Sequence, residues 1–176
     1  MSISEEFALA LDTDLLRRPG AQLRGIAAVI DTNTVLDLIY WTDAKAAYLR
    51  GALEKGLVTA VRDRASVSEL AEVISRDRFL GDTPEALART ARWCDMTAPA
   101  DEAAVRETWD TLGVKCRDPL DQKFLVLAVA AKAGLLVTKD KLVLKAGRKL
   151  KRFGILCVKP EEVEAAVTAH RNAERN

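Results

Sequence analysis

"RDPLDQKFLVLAVAAKAGLLVTKDK" spans residues 117–141, with an apolar run in its middle and acids at both ends. Asp118 and Asp121 stand before the run and Asp140 after it. Asp118 followed by Pro119 reads as a helix start, because the carboxylate caps the first amides and proline suits the first turn. The spacing predicts a helix to about Ala133, ended by Gly134, and then a buried strand over "LLVT" (135–138). Helix and strand run in opposite senses. From Asp121 the helix descends ~18 Å at 1.5 Å per residue. From Leu135 to Asp140 the strand climbs back ~16 Å at 3.3 Å per residue. Asp121 and Asp140 are therefore expected near the same height, with Asp118 slightly above.

The flanking segments repeat this alternation. Upstream, "IAAVID" (26–31) reads as a buried strand with an acid at its end, followed by a helical stretch from about Thr34. "DAKAAYLRGALEKG" reads as a helix ending at Gly56, "LVTAV" (57–61) as a strand, and "DRASVSELAEVISRDRF" as a helix with Asp63 at its cap. "TPEALARTARWCD" and "DEAAVRETWDTLG" read as two more helices, the first with Thr83 as cap and Pro84 at its first position. Beyond the opening stretch, "KLVLKAGRKLKRFG" is basic and partly helical, "ILCV" (155–158) is a last strand and "PEEVEAAVTAHR" a last helix. Strands alternating with helices predict a three-layer α/β/α domain with a mostly parallel central sheet. Residues 1–24 read as an amphipathic helical extension, roughly Glu5 to Leu16, closed by Pro19 and Gly20; residues 25–176 read as the compact domain.

Composition excludes several classes. The net charge of +1 gives no global signal for nucleic acid, so the distribution of charge has to be read instead. The longest apolar run, Phe124 to Ala131, is closed by Lys132 and is too short to cross a bilayer. Acids at Glu5, Glu6, Asp12 and Asp14 stand where a signal peptide needs a basic and then an apolar run, and the expected location is the cytoplasm. Cys94, Cys116 and Cys157 form no CxxC pair and read as free thiols. His170 is the sole histidine, which argues against Ser-His or Cys-His catalysis and against a His-rich metal site. Any metal here must be held by oxygen.

In an open parallel sheet, ligands bind beyond the carboxyl ends of the strands. Asp31, Asp140, Asp118 and Asp121 all fall on that rim, and Glu69 lies early in the helix after "LVTAV". Clustered carboxylates repel and hold protons more tightly unless a cation neutralises them. Carboxylates and water are the ligands of magnesium and manganese, and such ions serve phosphodiester hydrolysis. Each acid also has a plain structural reading. Asp118 can be only a cap, Asp121 a first-turn acid favoured by the helix dipole, Glu69 a solvated residue and Asp140 a turn residue. Asp31 is the hardest to explain structurally, since it ends a buried strand. Nearby, residues 139–152 carry seven Lys or Arg and one acid. Such a tract is either a solvated face or a phosphate-binding patch.

At these residues the chain resembles the PIN-domain ribonucleases. "VIDTNTVLDLI" (29–39) is similar to their first strand, which ends in Asp-Thr-Asn or Asp-Ser-Asn, and "SVSELAEVI" (66–74) to their second acidic motif. "RDPLDQKFLVLAVAAKAGLLVTKD" (117–140) resembles the third and fourth, which run like RDPxDxKFLxLAxxxxAxxLVTxD in the branch identified with toxins of toxin–antitoxin systems. The likeness covers about Ala27 to Pro160 and leaves the N-terminal helix outside. It implies a Mg- or Mn-dependent ribonuclease, with Asp31, Glu69, Asp121 and Asp140 as catalytic and metal-site acids and Asp118 in support. Thr32, Asn33 and Thr138 match polar positions beside them. It also implies an RNA substrate met by Lys139, Lys141, Lys145, Arg148 and Lys149, a cognate antitoxin protein and a homodimer. Leu120 and Gln122 stand where many members of that branch are more acidic.

Two rival readings remain. A phosphatase with an aspartyl nucleophile at Asp31 needs a general acid two residues on, and Asn33 cannot exchange a proton there. A PIN-like module that binds RNA or protein without cutting keeps the fold but not the reaction. P-loop and dinucleotide-binding readings fail, since neither GxxxxGK[ST] nor GxGxxG occurs.

Overall fold

The computed structural model describes residues 4–176. Five strands form one parallel sheet: β1 (Ile26–Ile30), β2 (Val58–Arg62), β3 (Ala98–Pro99), β4 (Leu135–Val137) and β5 (Leu156–Val158). Their spatial order is β3-β2-β1-β4-β5. β1 is central, pairing Ala28 with Ala60 of β2 and with Leu135 of β4. Strand order reverses at the β1/β4 boundary, which is where open α/β sheets bind ligands.

Among the described residues, nine helices cover the sheet: α1 (Glu5–Thr13), α2 (Thr32–Leu36), α3 (Ala47–Glu54), α4 (Arg64–Ile74), α5 (Pro84–Met96), α6 (Glu102–Thr111), α7 (Gln122–Ala130), α8 (Lys141–Gly147) and α9 (Val163–Arg175). The period-2 alternation of the strands divides them between two cores. Ala28, Ile30, Val58, Ala60, Leu135 and Val137 face one core with α1 to α5 and α9. Ala27, Val29, Val61 and Leu136 face the other with α6, α7 and α8. The expected three-layer α/β/α architecture is what the chain forms.

Local chemistry explains most boundaries. Asp63 and Ser66 make a reciprocal capping box at the start of α4. Thr83 caps α5 with Pro84 in its first turn. α1 buries Phe7 and Leu11, and Leu15 follows in a 3₁₀ turn; all three enter the same core as Ile30 and Leu135. Buried residues run without interruption from Phe124 to Ala128, so α7 is enclosed by β1, β4 and α6 rather than amphipathic.

Several expectations need correction. α7 is preceded by a 3₁₀ turn over Pro119–Asp121 and ends at Ala130, and Lys132, at φ 51°, takes the left-handed turn expected of Gly134. Gly134 serves close packing instead: a Cβ there would lie 2.6 Å from Ile26 Cγ2 and 3.1 Å from His170 Cε1. The sole histidine packs on that glycine, with Nε2 2.9 Å from the Gly134 carbonyl oxygen. The helix after β1 begins at Thr32, not Thr34, and continues as a wide π turn over Asp37–Trp41. β3 has no apolar run to announce it. It is an edge strand of two residues, a position that tolerates Pro99. The three cysteines are free thiols.

Candidate active site

Asp31 is the first residue past β1 and is 4% exposed. One oxygen, Oδ1, accepts the Thr34 amide at 2.9 Å and so caps α2. The other, Oδ2, accepts the hydroxyl of Thr138, which is fully buried at the end of β4. Burial pushes the Asp31 carboxyl above its ordinary range, while the bonds from Thr138 and Thr34 and the charge of Lys139 pull it back. Thr138 Oγ1 also accepts the Asp140 amide at 3.0 Å. One hydroxyl thus links the ends of the two central strands.

Asp140 caps α8 as Asp31 caps α2. Its Oδ1 accepts the amides of Leu142 at 2.8 Å and Val143 at 3.0 Å, leaving Oδ2 outside the cap. Asp118 caps the 3₁₀ turn that leads into α7, accepting the Leu120 amide at 2.9 Å. Asp121 occupies the cap position of α7 but makes no capping bond. Its carboxyl is pushed up from 3.8 to about 6, by partial burial first and then by the charges of Asp118, Asp140 and Glu69, with Lys123 opposing. The fold thus brings Asp118, Asp140 and Glu69 within electrostatic reach of Asp121. Asp31 joins them through Thr138 and the Asp140 backbone rather than by direct charge contact. Thr32 is buried beside Asp31, and Asn33 is exposed.

Two further residues at this rim are not announced by any motif. Asp37, 5% exposed, pairs with Lys139 at 2.5 Å. Lys123 pairs with Glu69. The signals were present: Asp37 is an acid inside the apolar "VLDLI", which requires a partner, and Lys123 lies two residues after Asp121. The partners are distant in sequence, so neither pair follows from spacing. Of the tract expected to meet RNA, Lys141, Lys145, Arg148 and Lys149 are exposed along α8 and the 3₁₀ turn after it, whereas Lys139 is engaged by Asp37. Gly147 lets that segment approach β5, since a Cβ there would lie 2.3 Å from Cys157 Sγ.

The oxygen donors fit magnesium or manganese by their chemistry. Asp140 keeps one oxygen outside its cap, and Asp121 is uncapped among like charges. Among the described residues, however, no group of three or more His, Cys, Asp or Glu is drawn close enough to hold an ion. Also among the described residues, no helix is long and apolar enough to cross a membrane.

A parallel α/β sheet with carboxylates gathered at its switch point defines the class: an open-sheet protein with an acid-lined site. The PIN domain matches residues 27–142, more than half of the chain and all of the rim's acids named above, and the chain belongs to the PIN-domain family. PIN domains are generally nucleases, and PIN nucleases generally use divalent metals and act on RNA. No curated protein and no solved structure matched the chain.

Proposed function

We propose that the chain is a divalent-metal-dependent ribonuclease that hydrolyses RNA phosphodiester bonds, and that it is the toxin of a toxin–antitoxin pair, acting as a homodimer held in check by a cognate antitoxin. The observation that carries the nuclease reading is the gathering of Asp118, Asp140 and Glu69 around the uncapped Asp121, whose carboxyl partial burial and then those charges push up to about 6. Such a group is stable in its ionised form when a cation sits beside it. Asp31, Glu69, Asp121 and Asp140 would hold magnesium or manganese, with Asp118 fixing the turn that carries Asp121. A divalent ion, when bound, supplies the charge that makes water acidic and steadies the leaving oxygen. Thr138 orients Asp31 and the Asp140 backbone, and the Asp31 and Asp140 caps tie those carboxylates to α2 and α8. Lys141, Lys145, Arg148 and Lys149 would meet the phosphate backbone, which rewards such patches through counterion release.

Binding without cleavage has one specific observation in its favour, the engagement of Glu69 by Lys123. One experiment separates the two readings: a mixed set of labelled RNAs incubated with Mn2+ and with EDTA. Fragments that form with Mn2+ and vanish with EDTA support the nuclease. Retention of intact RNA on the protein under both conditions supports the binding module. Substituting Ala at Lys145, Arg148 and Lys149 is expected to flatten the salt dependence of RNA binding.

A further inference from the structure

Lys123 stands at a position no simple helix logic requires. It lies in the first turn of α7, where the helix dipole disfavours a cation. Its ammonium donates to Glu69 Oε2 on α4 and to the Leu120 carbonyl in the turn that carries Asp118 and Asp121. It therefore bridges two of the elements that bring acids to the rim. Among the ion pairs of the described residues, this is the one with both partners largely shielded, at 16% and 27% side-chain exposure; in the others at least one partner is 43% exposed or more, or the pair is a surface i,i+4 contact. A shielded pair survives only if its charges compensate each other's lost hydration. Lys123 is also the cation whose field reaches Asp121. Glu69, whose charge also reaches Asp121, thus has one carboxylate oxygen engaged by an ammonium at this rim.

We infer that Lys123 is a built-in counter-ion that neutralises the acidic rim in the absence of metal and that a divalent cation displaces from Glu69 on binding. The inference rests on the nuclease reading above, in that Glu69 belongs to the metal site. Lys123 is then a positioning residue acting through Glu69. Its single positive charge opposes a divalent cation at the same rim, and its release on loading frees a cation beside the place where an RNA phosphate would lie. Lys123 Nζ also lies 5.3 Å from the centre of the Phe124 ring, and its flexible four-carbon stem lets the charged end change partner by side-chain rotation. A structural salt bridge makes the opposite prediction: losing it would disorder Glu69 and weaken metal binding.

The test is calorimetric titration of the full chain with Mn2+, without RNA, on the wild type, Lys123→Met, Lys123→Gln and Lys123→Arg. Removing the positive charge is expected to tighten Mn2+ binding about tenfold, because a close like charge at the protein surface is worth at least that. Both neutral variants should show it, Gln serving as the second case should Met fail to fold. Arg, which keeps the charge, should bind Mn2+ as the wild type does. Thermal melts without metal should drop for Met and Gln and recover on adding Mn2+. Unchanged or weaker Mn2+ binding in both neutral variants overturns the inference while leaving the metal site standing. Absence of Mn2+ binding in the wild type overturns the nuclease reading itself, and the inference with it.

Discussion

The acids that end the strands and the acids of the turn entering α7 meet at one rim, yet the fold secures them differently. Asp31 and Asp140 each cap the helix that follows their strand, and Thr138 bonds to both strand ends. Their positions are set by backbone amides. In the turn, Asp118 caps and Asp121 does not. Asp121 has like charges for neighbours and a carboxyl held at about 6. One half of the rim is a rigid mount satisfied by the protein itself; the other is a strained set of charges that a cation would relieve. A site that binds an ion needs both, since ligands must be placed and must also gain by binding.

Each half can be broken separately. The largest effect is expected from Asp121→Asn, which keeps the shape and removes the charge: RNA cleavage should fall on the order of 100-fold or more, as loss of a metal-site group does. Activity within a few-fold of wild type would remove Asp121 from the site. Next comes the rigid half. Thr138→Val keeps the volume, leaves the buried Asp31 Oδ2 without its hydroxyl donor and leaves the partly buried Asp140 amide without its acceptor. Chemical denaturation should show a loss of about 2 kcal/mol, and a loss under ~0.5 would mean that the Thr138 link contributes little.

A smaller effect separates the halves by pH. Asp121 has its folded pKa raised from 3.8 to about 6. Its contribution to stability is fully present below the unfolded value and is lost as pH rises through the folded one. Without metal, the wild type should therefore lose stability relative to Asp121→Asn between about pH 4 and about pH 6. Because this carboxyl is partly solvated, the loss should be only about 1 kcal/mol. Saturating Mn2+ should cancel it. A parallel pH profile for the two proteins would show that the charges around Asp121 do not repel as described. The smallest effect belongs to Asp118→Asn. Asparagine caps as well as aspartate, so stability should change by a few tenths of a kcal/mol and cleavage by no more than about threefold. A dead Asp118→Asn would exchange the roles of the two aspartates.

The contrast also shows what a linear sequence can carry. Asp31, Asp118 and Asp140 were legible because each sits at an element boundary whose capping chemistry is local, and the opposed senses of α7 and β4 brought Asp121 and Asp140 to one rim by rise per residue alone. Local signals failed where tertiary packing decides. The two-residue β3 is made by its edge position beside β2, not by apolar pattern. α7 stops at Ala130 because β4 must approach β1, where Gly134 rather than a bulkier residue fits against Ile26 and His170. The pairs Glu69–Lys123 and Asp37–Lys139 join residues far apart in the chain, so the neutralising lysines of the rim could not be read from motif spacing.

The most direct test of a metal site at this rim is Mn2+ affinity, by calorimetry without RNA, for the wild type beside Asp121→Asn and Asp118→Asn. Saturable binding to the wild type, at least tenfold weaker binding to Asp121→Asn and near wild-type affinity for Asp118→Asn are expected. Equal affinity of the wild type and Asp121→Asn would contradict a metal site that includes Asp121.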